Sequence, residues 1–147
     1  AGDYTAVFTF LEVYGNIIKT TKEAPMVDKI IEELQSIRSF RVDADDYDWF
    51  CSYPDMVFEI ILDAPPTNEQ KIIAVTALEK FVENYNKWHF LRPIHYISDI
   101  DHLPQGRHPR GIYVHLDFGN CSAMQVVTAV KALEATGLPI FRVALLW

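Results

Sequence analysis

Between Arg41 and Lys71 the sequence contains no lysine and no arginine, although 13 basic residues are spread over the rest of its 147. Nucleic-acid binding needs a basic footprint, so direct binding of nucleic acid is not expected of a chain whose pI is near 5.1. Cysteine is almost as scarce. Cys51 and Cys121, with 69 residues between them, are too few for a disulfide framework and unlike a metal-binding pair. A reducing cytoplasm is the expected setting, and a single Cys51 to Cys121 bridge belongs only to an oxidising one. No apolar run approaches the ~20 residues that span a bilayer. The opening, Ala1-Gly-Asp-Tyr, has no basic stretch followed by an apolar one, so neither an export signal nor membrane association is expected. Glycine-rich phosphate loops are missing too: the turns Asp63-Ala-Pro-Pro-Thr and Phe118-Gly-Asn-Cys-Ser lack the glycines and the lysine of a P-loop. No cofactor is expected.

What is present is a core. Half of the residues are apolar and 13% aromatic, which sets the chain apart from disordered sequences and makes residues 1–147 a single expected domain. Tyr4 to Val13 alternates as a strand, and Pro25 to Ile37 spaces Met26, Ile30, Ile31, Leu34 and Ile37 as a helix. From Phe40 the chain turns extended and acidic. Met56 to Leu62 then reads as a buried strand, and a helix follows from Thr67 to about Trp88, opened by Thr67 and Gln70 at capping-box spacing. Pro93 to Ile97 is a short strand, Asp101 to Arg110 a polar loop and Ile112 to Phe118 another strand. A third helix runs from Ser122 to Ala135, with Gly137 closing it, and Phe141 to Trp147 is the last strand.

Two of these units resemble each other at a shift of 55: Gln70, Ala74, Val75, Ala77, Leu78 and Glu79 recur as Gln125, Ala129, Val130, Ala132, Leu133 and Glu134. Strands alternating with helices in this way predict an α+β fold, with a mixed or antiparallel sheet and helices packed on one face. The first two units in the order βαββαβ would make a ferredoxin-like core, and the third would add a further βαβ unit. An open α/β sandwich is the alternative.

Charge is the most informative feature. Asp43, Asp45, Asp46, Asp48, Asp55, Glu59, Asp63 and Glu69 place eight negative charges in the stretch without lysine or arginine, while the other twelve acidic and thirteen basic residues nearly cancel. The net charge of −7 is therefore local. Its first part, Asp43 to Asp55, mixes carboxylates with Tyr47, Trp49 and Tyr53. Aromatic side chains anchor interfaces and charge steers association, so Asp43, Asp45, Asp46, Tyr47, Asp48, Trp49, Tyr53 and Asp55 form a candidate surface for a basic partner. Asp43, Asp45 and Asp48 are also hard oxygen donors, but the run lacks the central glycine and final glutamate of a calcium loop, and no metal is expected.

Four of the five histidines, His89, His95, His102 and His108, lie within twenty residues, with Arg92, Arg107 and Arg110 beside them. Their spacing matches no zinc pattern. His115 differs, because strand alternation puts it on one face with Tyr113 and Asp117, opposite the apolar Ile112, Val114, Leu116 and Phe118. Cys121 stands at an expected helix start, where the helix dipole favours thiolate. Tyr113, His115, Asp117 and Cys121 are thus an alternative ligand site.

No complete catalytic motif is present, so an enzyme is the less expected outcome. The leading expectation is a small acidic binding protein, an inhibitor or immunity-type protein that occludes a basic partner such as a nuclease toxin. The rivals are a small enzyme or ligand-binding domain built on the Tyr113, His115, Asp117 and Cys121 site, and a regulatory homodimer. The sequence sets no oligomeric state.

Overall fold

The computed structural model describes residues 28–44, 55–89, 91, 93–99, 106–119 and 124–146. The chain divides into two compact units, residues 1–33 and 34–147. Of the first, residues 28–33 are described and are helical. The strand expected at Tyr4 to Val13 lies outside the described residues, and with it the placement of a βαββαβ core on the first two units.

The second unit holds a five-stranded sheet. Its elements are β1 (Arg41–Ala44), β2 (Asp55–Leu62), helix α1 (Asn68–Trp88), β3 (His95–Asp99), β4 (Gly111–Asp117), helix α2 (Met124–Glu134) and β5 (Ile140–Leu146). The strands lie in the order β1-β5-β2-β4-β3. β1 runs parallel to β5, whereas the pairs β5/β2, β2/β4 and β4/β3 are antiparallel. The fold is therefore α+β with a mixed sheet.

From β2 to β5 the elements follow as β-α-β-β-α-β. β4 fills the gap between β2 and β3, and β2 fills the gap between β4 and β5, so two split strand-helix-strand units interleave. The helix-bearing units at Asn68 and Met124 are the two whose sequences match at a shift of 55. Ala74 and Leu78 of α1 and their counterparts Ala129 and Leu133 of α2 all have no exposed surface, so the repeat marks the buried stripe of each helix.

Local sequence explains where these elements start and stop. The Thr67 hydroxyl accepts the Gln70 N–H at 3.1 Å while the Gln70 side chain accepts the Thr67 N–H at 3.0 Å, and this reciprocal box opens α1. At the other end the Asn86 amide donates to the Ile94 carbonyl and accepts the Ile94 N–H, both at 2.8 Å, which ties the last turn of α1 to the approach to β3. β3 consequently begins at His95, two residues later than Pro93. Beyond α2, Gly137 has φ 73°, the left-handed conformation that ends a helix readily at glycine.

The core is the helix-facing side of the sheet. Met56, Phe58 and Ile60 of β2 lie level with Leu116, Val114 and Ile112 of β4, and Phe58 and Ile60 lie level with Leu145 and Val143 of β5. All are buried. Phe118 joins this layer to the helices, its ring 6.2 Å from Phe58 and 6.4 Å from Phe81 of α1. No helix among the described residues is long and apolar enough to cross a membrane.

Candidate functional site

Strand alternation sends the remaining residues of β2, β4, β5 and β1 to the opposite face of the sheet. There Asp55, Val57, Glu59 and Ile61 stand level with Asp117, His115, Tyr113 and Gly111. Ala144 lies beside Glu59, and Asp43 lies beside Ala144. A face with this many ionisable groups has to satisfy them with one another or with water.

One set is satisfied internally. Arg41 contacts the Asp43 carboxylate at 2.9 Å, and Arg142 approaches the same Oδ2 at 3.3 Å. Arg142 Nη2 also lies 3.8 Å from Glu59 Oε1. The Tyr113 hydroxyl donates to Glu59 Oε2 at 2.5 Å and accepts the His108 N–H at 2.7 Å. A chain of contacts thus crosses four strands, β1-β5-β2-β4, with two arginines facing two carboxylates.

Tyr113 is only 1% exposed despite its position on this face. The Arg107 guanidinium sits 4.7 Å over its ring, and the ring packs so closely on Gly111 that a Cβ there would lie 2.7 Å from Tyr113 Cε1. Burial raises the phenol's pKa above 10.0, and the hydrogen bond to Glu59 raises it further, against the smaller lowering effects of the His108 N–H and Arg107. Tyr113 is a neutral donor that holds Glu59 in place, and it is closed to a ligand.

A second set lies at one end of the face and is not balanced. Asp55 and Asp117 are directly opposite each other on antiparallel strands. His115 Nε2 lies 3.3 Å from Asp55 Oδ1, and the Asp55 side chain remains 65% exposed. Asp117 Oδ1 accepts the Gly119 N–H at 2.9 Å, which shapes the turn leaving β4. Asp117 also stands level with His95 of β3, so this end of the sheet brings Asp55 and Asp117 together with His115 and His95.

Asp43 and Asp55, the two ends of the acidic-aromatic stretch, therefore stand on one face, and Asp55 is bonded to a member of the alternative site. Two candidate sites that are separate in sequence meet at the pair Asp55 and His115. Asp45, Asp46, Tyr47, Asp48, Trp49, Tyr53 and Cys121 lie outside the described residues. β1 and β2 are not neighbours in the sheet, since β5 lies between them, so residues 45–54 link strands on either side of β5.

Glu59, Arg41 and Arg142 were not singled out by sequence, although the alternation in Met-Val-Phe-Glu-Ile-Ile-Leu already puts Glu59 on the face opposite Phe58. Of the clustered histidines, His89 donates from Nδ1 to the Tyr85 carbonyl at 2.9 Å and stacks on the Tyr85 ring. His108 Nδ1 accepts the Arg110 N–H at 3.0 Å. Both are engaged in local structure. Among the described residues no three His, Cys, Asp or Glu side chains come together as a metal site.

Compared with models of protein families, with curated proteins and with solved structures, the chain matches none.

Proposed function

We propose that this chain is a binding protein for a basic protein partner, an inhibitor or immunity-type protein that occludes a surface such as that of a nuclease toxin. The observation that supports it is the opposed pair Asp55 and Asp117, at the strand end where residues 45–54 join β2. Like charges placed directly across a strand pair are destabilising, and the groups beside them are His115, 3.3 Å from Asp55, and His95, level with Asp117 on β3. A lysine or arginine from a partner would relieve the repulsion. Asp45, Asp46 and Asp48 would steer that partner in, and Tyr47, Trp49 and Tyr53 would bury apolar area against it.

The test is a pull-down with the whole chain at low and at high salt. The same capture is repeated with Asp55→Asn/Asp117→Asn and with Asp45→Asn/Asp46→Asn/Asp48→Asn. A basic protein retained at low salt, released at high salt and lost with both variants is the expected result. If both variants capture as much as the unsubstituted chain, or if no basic protein is enriched, the reading fails.

A second reading has one observation in its favour: His115 and Asp55 form a hydrogen-bonded acid-base pair on a half-open face, as a small ligand-binding or enzymatic site with Cys121 would require. Thiol-reactive probes near neutral pH decide it. A Cys121 that reacts no faster than free cysteine removes the nucleophile.

A further inference from the structure

The end of the sheet that carries Asp55 and Asp117 also holds His115 and His95. Directly opposite residues of antiparallel strands point to the same face, with Cβ atoms about 5 Å apart. Asp117 of β4 stands opposite Asp55 of β2 on one side and opposite His95 of β3 on the other. His115 precedes Asp117 on the same face, with Nε2 3.3 Å from Asp55 Oδ1. Two carboxylates and two imidazoles thus form one cluster across three strands. β3 is the edge strand on this side of the sheet, and His95 is exposed.

The surroundings leave the two histidines as the groups of this cluster that change charge near neutral pH. Level with His115 are Val57 of β2 and Ser98 of β3, which carry no charge. Next along the face come Tyr113 and Glu59, a hydrogen-bonded pair with Arg142 beside Glu59. Asp99 of β3 stands level with Val114, not with His115. α1 packs on the other side of the sheet, and His89 at its end is held to the Tyr85 carbonyl. Imidazole takes up its proton near about pH 6.5, whereas ordinary aspartates do so near about pH 4. Between about pH 7.5 and about pH 5.5 the cluster therefore passes from two carboxylates beside two neutral rings to two carboxylates beside two cations. The contact to Asp55 survives this change. A carboxylate only accepts hydrogen bonds, so His115 Nε2 carries a hydrogen in either state and the added proton goes to Nδ1.

A lysine or arginine of a partner gains most from this end when the carboxylates are its only charges. Imidazolium rings would neutralise the same carboxylates and repel the newcomer. We infer, resting on the reading of this end as a surface for a basic protein, that His95 and His115 make it a proton-operated release switch. The partner is held through Asp55 and Asp117 while both rings are neutral, and is let go once both are protonated.

The probe is a fluorescent oligo-arginine peptide, titrated with the whole chain at low ionic strength and followed by anisotropy. For the unsubstituted chain the affinity is expected to fall about tenfold or more from about pH 7.5 to about pH 5.5, as two cations form beside the site. His95→Gln/His115→Gln should hold its affinity over that range within about twofold. His95→Gln alone, at an exposed position, should fall between the two and keeps the test open if the double variant does not fold. Asp55→Asn/Asp117→Asn should bind weakly at both ends of the range. Circular dichroism at each pH checks that every variant is folded. His89, His102 and His108 remain in the histidine variants, so a fall equal to that of the unsubstituted chain would assign the effect to them and overturn the switch. An affinity that does not change with pH would overturn it too. Either result leaves the binding reading standing, provided that the Asn variant binds weakly. A chain that does not hold the peptide at about pH 7.5, or an Asn variant that binds as tightly as the unsubstituted chain, fails the binding reading and the switch together.

Discussion

The Tyr113 hydroxyl has a donor on one side, the His108 N–H at 2.7 Å, and an acceptor on the other, Glu59 at 2.5 Å. Removing it strands both. Tyr113→Phe is expected to destabilise the fold by about 1 to 3 kcal/mol, the usual cost of leaving buried polar groups unpaired, measured by urea unfolding. The effect has a defined pH dependence. Burial, followed by the hydrogen bond to Glu59, raises the phenol's pKa above 10.0, so the folded chain keeps this proton after the unfolded chain has released it. The contribution is full below the unfolded pKa and is lost as pH rises through the folded one. The gap in urea midpoint between wild type and Tyr113→Phe should accordingly hold at neutral pH and narrow above about pH 10. A gap that widens there would contradict this account. Gly111→Ala tests the same packing from below, because the added methyl would meet the ring at 2.7 Å. A loss of about 1 to 3 kcal/mol is expected from such overpacking, read as a lower unfolding midpoint.

Asn86 works between elements. Its amide replaces strand partners for Ile94 just before β3 begins, and it is part-buried, so water does not readily substitute. Asn86→Ala should cost about 2 kcal/mol. More specifically, it should speed exchange of the Ile94 amide hydrogen while the amides in the middle of β2 and β4 stay protected. Uniform loss of protection would mean that the clip is not local. This contact was not legible in the sequence, because an asparagine near a helix end has no pattern that says which backbone it will reach. The capping box at Thr67 was legible, since its two partners lie three residues apart and need no tertiary structure.

For the molecule as a whole, charge sets stability against binding. Asp55 and Asp117 oppose each other across β2 and β4, so Asp117→Asn, which keeps an oxygen for the Gly119 N–H, should stabilise the free protein by about 0.2 to 1 kcal/mol. The gain should shrink with added salt. Thermal unfolding at two ionic strengths measures it, and a destabilised variant would show that the two carboxylates do not repel appreciably. If the acidic end serves a basic partner, the variant that folds better should bind worse, because the repulsion within the free protein is what the partner's cation relieves.

Residues close in sequence determined the helix start at Thr67, the strand periods of β2, β4 and β5, the placing of His115 and Asp117 on one face, and the concentration of charge before Lys71. Each depends on backbone geometry over a few residues, which composition and spacing report directly. Tertiary structure alone decided that β4 lies beside β2, so that Asp55 meets His115 and Glu59 meets Tyr113 across 60 and 54 residues. It also decided that Tyr113 is buried, since the residues that cover it come from the turn before β4. Strand order follows from how two interleaved units bury their apolar faces together, a global condition that no short stretch of sequence carries. The acidic stretch is a property of the sequence, and the facing of Asp55 and Asp117 across β2 and β4 is a property of the fold.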